Sequence, residues 1–250
     1  MPDSLFELPE LATLYDLVNP PGSDHQFYLS LADGETPLRV LDVGSGTGML
    51  AVSFAARGHD VTGVEPATGM RGVAVARSGG DTVNWVEETA NGFRFDERFD
   101  LIVMTGHVFQ IFLEDSEIAA VLTNLRDHLA DGGRLAFETR NPALREWEQW
   151  VPERSREVVE APGVGSVEIW NQLIASSQRF VAFMTCFRFP DGARRDAPST
   201  LRLMDQLELA EFLSEAGFID VEWYGNWDRS PLRDDSPELI VVVRKAASRI

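Results

Sequence analysis

Apolar positions fall into helical stripes and strand-length runs that alternate over most of the chain. Leu5, Leu8, Leu11, Leu14, Tyr15 and Val18 recur at helical spacing on an acidic background, which predicts an amphipathic helix over residues 4–18, ended by Asn19-Pro20-Pro21-Gly22. Residues 25–32 read as a second short helix before an Asp33-Gly34 turn. From Leu38 onward, strand runs at 38–43, 60–65, 82–86, 99–104 and 133–139 alternate with helical stretches near 47–57, 68–77 and 115–130. The last helix has Asp115 or Ser116 as its cap and Asp131-Gly132-Gly133 as its stop. Such alternation predicts an α/β fold, a doubly wound parallel sheet with helices on both faces.

The alternation breaks after residue 140. Stretches 156–161, 165–175 and 178–189 are β-branched and aromatic and are separated by Pro162-Gly163 and Ser176-Ser177, so they predict an antiparallel β insert, a candidate substrate lid. A helix over 205–215, a stop at Gly217, and strands over 218–224 and 238–244 return the chain to the first sheet. The expected organisation is a helical cover (1–37), a cofactor-binding core (38–140), the β insert (141–203), and a C-terminal helix and two strands completing the core (204–250).

The first strand opens onto Gly44-Ser45-Gly46-Thr47-Gly48, followed by a helix. Glycines let backbone turn tightly and meet a ligand without a Cβ in the way, and a helix N-terminus presents free N–H groups. The spacing is G-x-G-x-G, with Met49 where a dinucleotide fingerprint requires its third glycine, which weakens a pyrophosphate reading. Asp42 stands two residues before the loop, and Glu65 ends the second strand, where an acid meets a ribose diol.

Together these residues resemble the class I S-adenosylmethionine-dependent methyltransferases, strongly over 40–140 and less so over 205–245. The resemblance implies a Rossmann-like seven-stranded sheet of order 3-2-1-4-5-7-6 with the last strand antiparallel, S-adenosylmethionine as cofactor, and methyl transfer by in-line displacement to N or O of a small molecule. It implies that Gly44, Ser45, Gly46 and Gly48 approach the methionine part, that Asp42 organises the loop and the cofactor's ammonium, and that Glu65 accepts from the ribose hydroxyls. Pro66 and Met70 would pack near adenine, with helix packing as the alternative for Met70. Where the family has an acid after the third strand, this chain has Thr89; its hydroxyl, Glu87 or Glu88, or the Ala90 backbone would then hold the adenine. Tyr15 and Thr105 complete the expected cofactor contacts.

His107, just past the carboxyl end of the fourth strand, is the candidate catalytic group, because an imidazole near neutrality can take a proton from a nucleophile. The other histidines, His25, His59 and His128, read as surface or turn residues. Tyr15, Phe27, Tyr28, Trp147, Trp150 and Trp170 are candidates to wall a pocket, and Arg140 either clamps a substrate carboxylate or pairs with Glu138. Two other readings are a non-catalytic S-adenosylmethionine-binding protein and an NAD-dependent oxidoreductase.

Charge narrows the partners. The formal net charge is -18, and residues 1–37 carry seven acids with no Lys or Arg. Such a field disfavours nucleic acid and anionic membrane and suits a neutral or cationic small-molecule acceptor. One cysteine, Cys186, excludes an intrachain disulfide framework, and no cluster has metal-ligand spacing. With no signal-peptide pattern at Met1, the expectation is a cytoplasmic protein, monomer or homodimer.

Overall fold

The computed structural model describes residues 4–34 and 36–245; residues 1–3, 35 and 246–250, and the side chains of Ser4 and Leu5 within the expected first helix, lie outside the described residues. The stripe over 4–18 divides into α1 (Ser4–Glu7) and α2 (Pro9–Val18), because Pro9 lacks an N–H and fits only the first turn of a helix. α3 (Ser23–Ser30) follows. The alternating region then gives β1 (Arg39–Val43), α4 (Met49–Ala56), β2 (Asp60–Val64), α5 (Thr68–Ala76), β3 (Asn84–Val86), β4 (Phe99–Met104), α6 (Asp115–His128) and β5 (Leu129–Arg140). After α7 (Pro152–Ser155) come β6 (Glu157–Ala161), β7 (Gly165–Ser176), β8 (Phe180–Arg188) and β9 (Arg194–Arg202), and then α8 (Gln206–Glu215), β10 (Phe218–Tyr224) and β11 (Glu238–Lys245).

The main sheet has the order β3-β2-β1-β4-β5-β11-β10, the expected arrangement, with β11 antiparallel to both its neighbours. Its two faces are sorted by the period of two along each strand. Leu41, Val43, Ile102, Met104, Leu135, Phe137, Val241 and Val243 turn to one core with α6 and α8. Val40, Val61, Leu101, Val103, Ala136, Ile240 and Val242 turn to the other, beneath α3 and α4. Each such side chain taken fully out of water contributes about 1.5–3 kcal/mol, so the sheet centre can carry costly polar groups at its end.

The second sheet, β6-β7-β8-β9, is antiparallel throughout. Val167, Ile169, Phe187 and Ala197 on its inner face pack on Leu11 and Leu14 of α2, while Ala12 of α2 meets Ala67 and Met70 at the start of α5. α2 therefore lies between the insert and α5. Among the described residues no helix is long and apolar enough to cross a membrane.

Several local expectations are corrected. β9 was not anticipated, because its sequence is charged and contains Pro198; it is an edge strand, where a residue without an N–H is tolerated. α6 ends at His128, and Leu129, already in β5, pairs with Phe99 of β4, so the chain reaches Asp131-Gly132-Gly133 as an irregular strand rather than a helix stop. Neither Asp115 nor Ser116 caps α6: Glu114 holds that position without a side-chain bond, and Asp115 pairs instead with Arg179 and the buried Arg202.

Candidate active site

β1 pairs with β2 on one side and β4 on the other, so the chain reverses its direction of winding between β1 and β4 and leaves a crevice beyond their carboxyl ends. The glycine loop fills one wall. Gly44 and Ser45 N–H groups both donate to Val64 O, at 2.8 and 3.1 Å, which joins the loop to the end of β2. Gly44, Gly46 and Gly48 all have positive φ (72°, 55° and 76°), the left-handed region that costs other residues roughly 1–2 kcal/mol. A Cβ on Gly44 would lie 2.8 Å from Val108, and one on Gly48 would lie 2.5 Å from the Trp85 ring, so these two glycines are also demanded by packing. At Gly46 a Cβ would meet nothing within 4 Å, so this stretch of backbone faces open space.

The acids stand around that opening. By strand alternation Asp42, Glu65, Glu138 and Glu238 share the sheet face of Val40, Val61, Ala136 and Ile240, and form a row at the carboxyl ends of the parallel strands. Glu65 accepts from Gly46 N–H and Ala67 N–H, both at 2.8 Å, and burial nevertheless raises its pKa. Asp42 is 1% exposed and neither of its oxygens has a hydrogen-bond partner. Burial first, and the Glu65 charge second, push it up to about 7; the Ala51 amide pulls the other way but lies outside hydrogen-bonding geometry. Ser45 Oγ is likewise buried without a partner. A buried carboxylate without a donor is costly, and a cationic ligand group beside the open Gly46 backbone would satisfy it. In charge and donor set, these residues fit the ammonium and ribose of S-adenosylmethionine.

The remaining expected cofactor residues lie around this wall. Thr89 is exposed, with its hydroxyl 3.0 Å from Asn91 Oδ1 and 3.2 Å from Glu88 Oε1. Of its alternatives, Glu87 is engaged by Arg71, and Ala90 O accepts from Asn124 at 3.0 Å. Pro66 is half-buried, and Met70 is buried against Ala12 and Ala67 with Phe6 and Tyr15 beside it. Thr105 is half-buried at the end of β4. The Tyr15 hydroxyl reaches the Gly106 turn, 3.4 Å from the point a Cβ there would occupy, and burial raises its pKa to about 12. The cover is fastened to the loop by a network that the sequence did not reveal. Thr47 Oγ1 donates to Asp16 at 2.6 Å, and Arg77 pairs with Asp16 while donating to Thr47 O.

His107 begins the other wall. Its φ is 61°, its N–H donates to Glu138 Oε1 at 2.7 Å, and its Nε2 lies 3.0 and 3.2 Å from the two carboxylate oxygens of Glu238. Tyr28 donates to the other oxygen of Glu138. Burial, then Arg140, push the imidazole down to about 4, so it is neutral at ordinary pH. Glu238 escaped the sequence reading. Its signal was an acid at the first position of an apolar strand, which in an antiparallel strand falls beside the carboxyl ends of the parallel ones.

Arg140 does not pair with Glu138, whose oxygens serve Tyr28 and His107. Its guanidinium donates to Gln110 Oε1 at 3.0 Å, lies 4.0 Å from Glu146, and sits over the Trp150 ring. Trp170 does not wall the pocket: it projects from the face of β7 opposite Val167 and Ile169, under Arg156, Arg188 and Arg194. His128 is not a surface residue either. It is buried, bonded to Asn124 O and Phe95 N–H, and packed on Phe93, holding the 91–98 loop against α6.

A seven-stranded sheet in this order, with an antiparallel final strand and a glycine loop after its first strand, is the Rossmann-like fold of class I methyltransferases. Residues 40–133 match the family model described as a methyltransferase domain. The chain is 30% identical over 135 residues to the cypemycin N-terminal methyltransferase of a Streptomyces species, covering 52% of this chain and 54% of that protein. It spans about half the length of the curated relatives it matches. An S-adenosylmethionine-dependent methyltransferase from Clostridium acetobutylicum superposes with a TM-score of 0.75 at 14% identity, covering 95% of this chain and 98% of that one. A sugar N-methyltransferase from a Streptoalloteichus species superposes with a TM-score of 0.74 at 18% identity, covering 98% and 96%. At these identities the structural likeness is one of fold.

Proposed function

We propose that the protein is an S-adenosylmethionine-dependent methyltransferase acting on the nitrogen of a small-molecule amine. The observation that carries this is the buried, unpartnered carboxylate of Asp42 beside open glycine backbone, within a row of four acids on one sheet face. In this reading Asp42, Ser45 and Gly46 receive the methionine end of the cofactor. Gly44 and Gly48 hold the loop's shape, and Glu65 turns from its two amides to the ribose hydroxyls. Pro66, Thr89 and Ala90 border the adenine with Met70 packed behind, and Tyr15 and Thr105 flank the reacting end.

Bound S-adenosylmethionine supplies a methyl group already activated on a sulfonium. The chain's own part is alignment and proton handling, and holding two reactants in line is worth as much as about 7–11 kcal/mol. An amine arrives as an ammonium at neutral pH. The acids around His107 favour its approach and would stabilise the imidazolium formed when the ring takes its proton. The acidic balance of the chain and the sugar N-methyltransferase among its structural relatives support nitrogen over oxygen.

The test is incubation with S-adenosylmethionine and parallel panels of small amines and small alcohols, read by mass spectrometry. Methylated amines are expected. Products only from alcohols would overturn the nitrogen assignment, and cofactor binding without product from any acceptor would favour a non-catalytic binder.

A further inference from the structure

β11 enters the sheet at Glu238, directly opposite Arg140 of β5. This register brings Glu238 to the carboxyl ends of the parallel strands, although 131 positions separate it from His107. Its side chain is only 14% exposed and that of His107 only 19%, so the contact between them is largely shielded from water. Both Glu238 oxygens lie within hydrogen-bond reach of the same ring nitrogen, Nε2, while Glu138 holds the His107 backbone by its N–H. The histidine is therefore fixed at two points by two carboxylates from adjacent strands.

We propose that Glu238 is the positioning residue of His107: it binds Nε2–H, leaves Nδ1 with the free lone pair, and makes the imidazole the group that removes a proton from an ammonium acceptor. The proposal rests on the methyltransferase reading for the identity of the proton donor. In the step, an N–H bond of the ammonium breaks and its electron pair stays on nitrogen as the nucleophilic lone pair. The proton forms a bond to Nδ1, and the resulting imidazolium is stabilised by the Glu238 carboxylate across Nε2–H. A carboxylate that orients an imidazole and supports its charged form is a recurrent arrangement in general-base catalysis.

The charged and titratable groups facing the pair are Glu138 and Arg140 from β5, Asp24 and Tyr28 from α3, Tyr15 from α2, and Glu146 from the segment after β5. Burial raises Glu238 to about 7, with Arg140 opposing and Asp24 adding to the shift, while burial and Arg140 hold His107 down at about 4. Above about pH 7 Glu238 is a carboxylate beside a neutral imidazole, the forms from which the step starts; between the two values the proton is on Glu238, and the carboxylate's support of the ring is lost. Two protons are bound only below about pH 4.

The experiment is an NMR titration of the His107 imidazole in the full chain, with nitrogen-15-labelled histidine and a His107→Gln variant for assignment. Wild-type protein is expected to carry its proton on Nε2 above pH 7 and to show a transition in the ring signals near pH 7, as the Glu238 carboxylate facing Nε2 takes up a proton. Glu238→Gln is expected to abolish that transition, and Glu238→Asp to retain it with a shifted midpoint, which keeps the test usable if the glutamine variant does not fold. An unchanged tautomer and titration in Glu238→Gln would overturn the proposal. S-Adenosylhomocysteine is added in a parallel series: failure of the wild type to bind it would remove the methyltransferase reading and with it the proposed ammonium donor, while the His107 titration reports on the pair itself.

Discussion

The two walls of the crevice are built in different ways. The glycine-loop wall takes Asp42, Gly44, Ser45, Gly46, Gly48 and Glu65 from one strand, one loop, one helix and the end of the next strand. The His107 wall gathers Tyr28 from α3, His107 after β4, Glu138 from β5 and Glu238 from β11, with bonds that span 110, 31 and 131 positions. The first wall is rigid backbone with one unsatisfied carboxylate. The second is a chain of side chains whose hydrogen-bonding groups largely satisfy one another. In the proposed reading the orphaned carboxylate receives the cofactor's ammonium, and the paired groups hold the imidazole that takes a proton.

Substitutions can break the comparison at either wall, and the largest expected effect is at Gly48. An alanine there combines a left-handed backbone with a Cβ 2.5 Å from Trp85, at a cost of about 2–5 kcal/mol, so thermal unfolding should show a large loss of stability. Gly46→Ala serves as its control. It carries the backbone penalty alone, about 1–2 kcal/mol, and should fold yet lose cofactor affinity, because there, unlike at Gly44 and Gly48, the backbone faces open space.

Asp42→Asn gives a smaller effect of opposite sign. A carboxylate whose folded pKa is raised to about 7 leaves the folded state binding more protons than the unfolded state between about pH 4 and 7. Stability of the free protein therefore falls as pH rises through that window and then levels off. Removing the charge should stabilise the free protein at pH 8 relative to pH 5, with a ceiling of about 4 kcal/mol, while weakening cofactor binding. Melting curves of both proteins at the two pH values check this, and an equal effect at pH 5 and pH 8 would contradict it.

The contrast between the walls also explains what was legible in the sequence. Strand, glycines, helix and second acid are contiguous, so Leu41 to Glu65 announced the local structure and the candidate site together. The strand order followed from alternation, and the antiparallel last strand from the family resemblance. What escaped was set by tertiary contact. Glu238 is an acid before an apolar run until the sheet brings it to His107. Arg140 turned to Gln110 and Trp150 because Tyr28 and His107 already occupied Glu138. β9 was hidden by its charged residues and Pro198, which are compatible with an edge strand although its sequence lacks a strand's usual composition.

The most direct measurement is a calorimetric titration of the intact protein with S-adenosylhomocysteine, repeated on Glu65→Ala. Saturable binding near one equivalent, weakened by the substitution at least tenfold, about 1.4 kcal/mol, is predicted. Absence of binding to the intact protein, or binding indifferent to Glu65, would contradict the assignment of the glycine-loop wall to this cofactor.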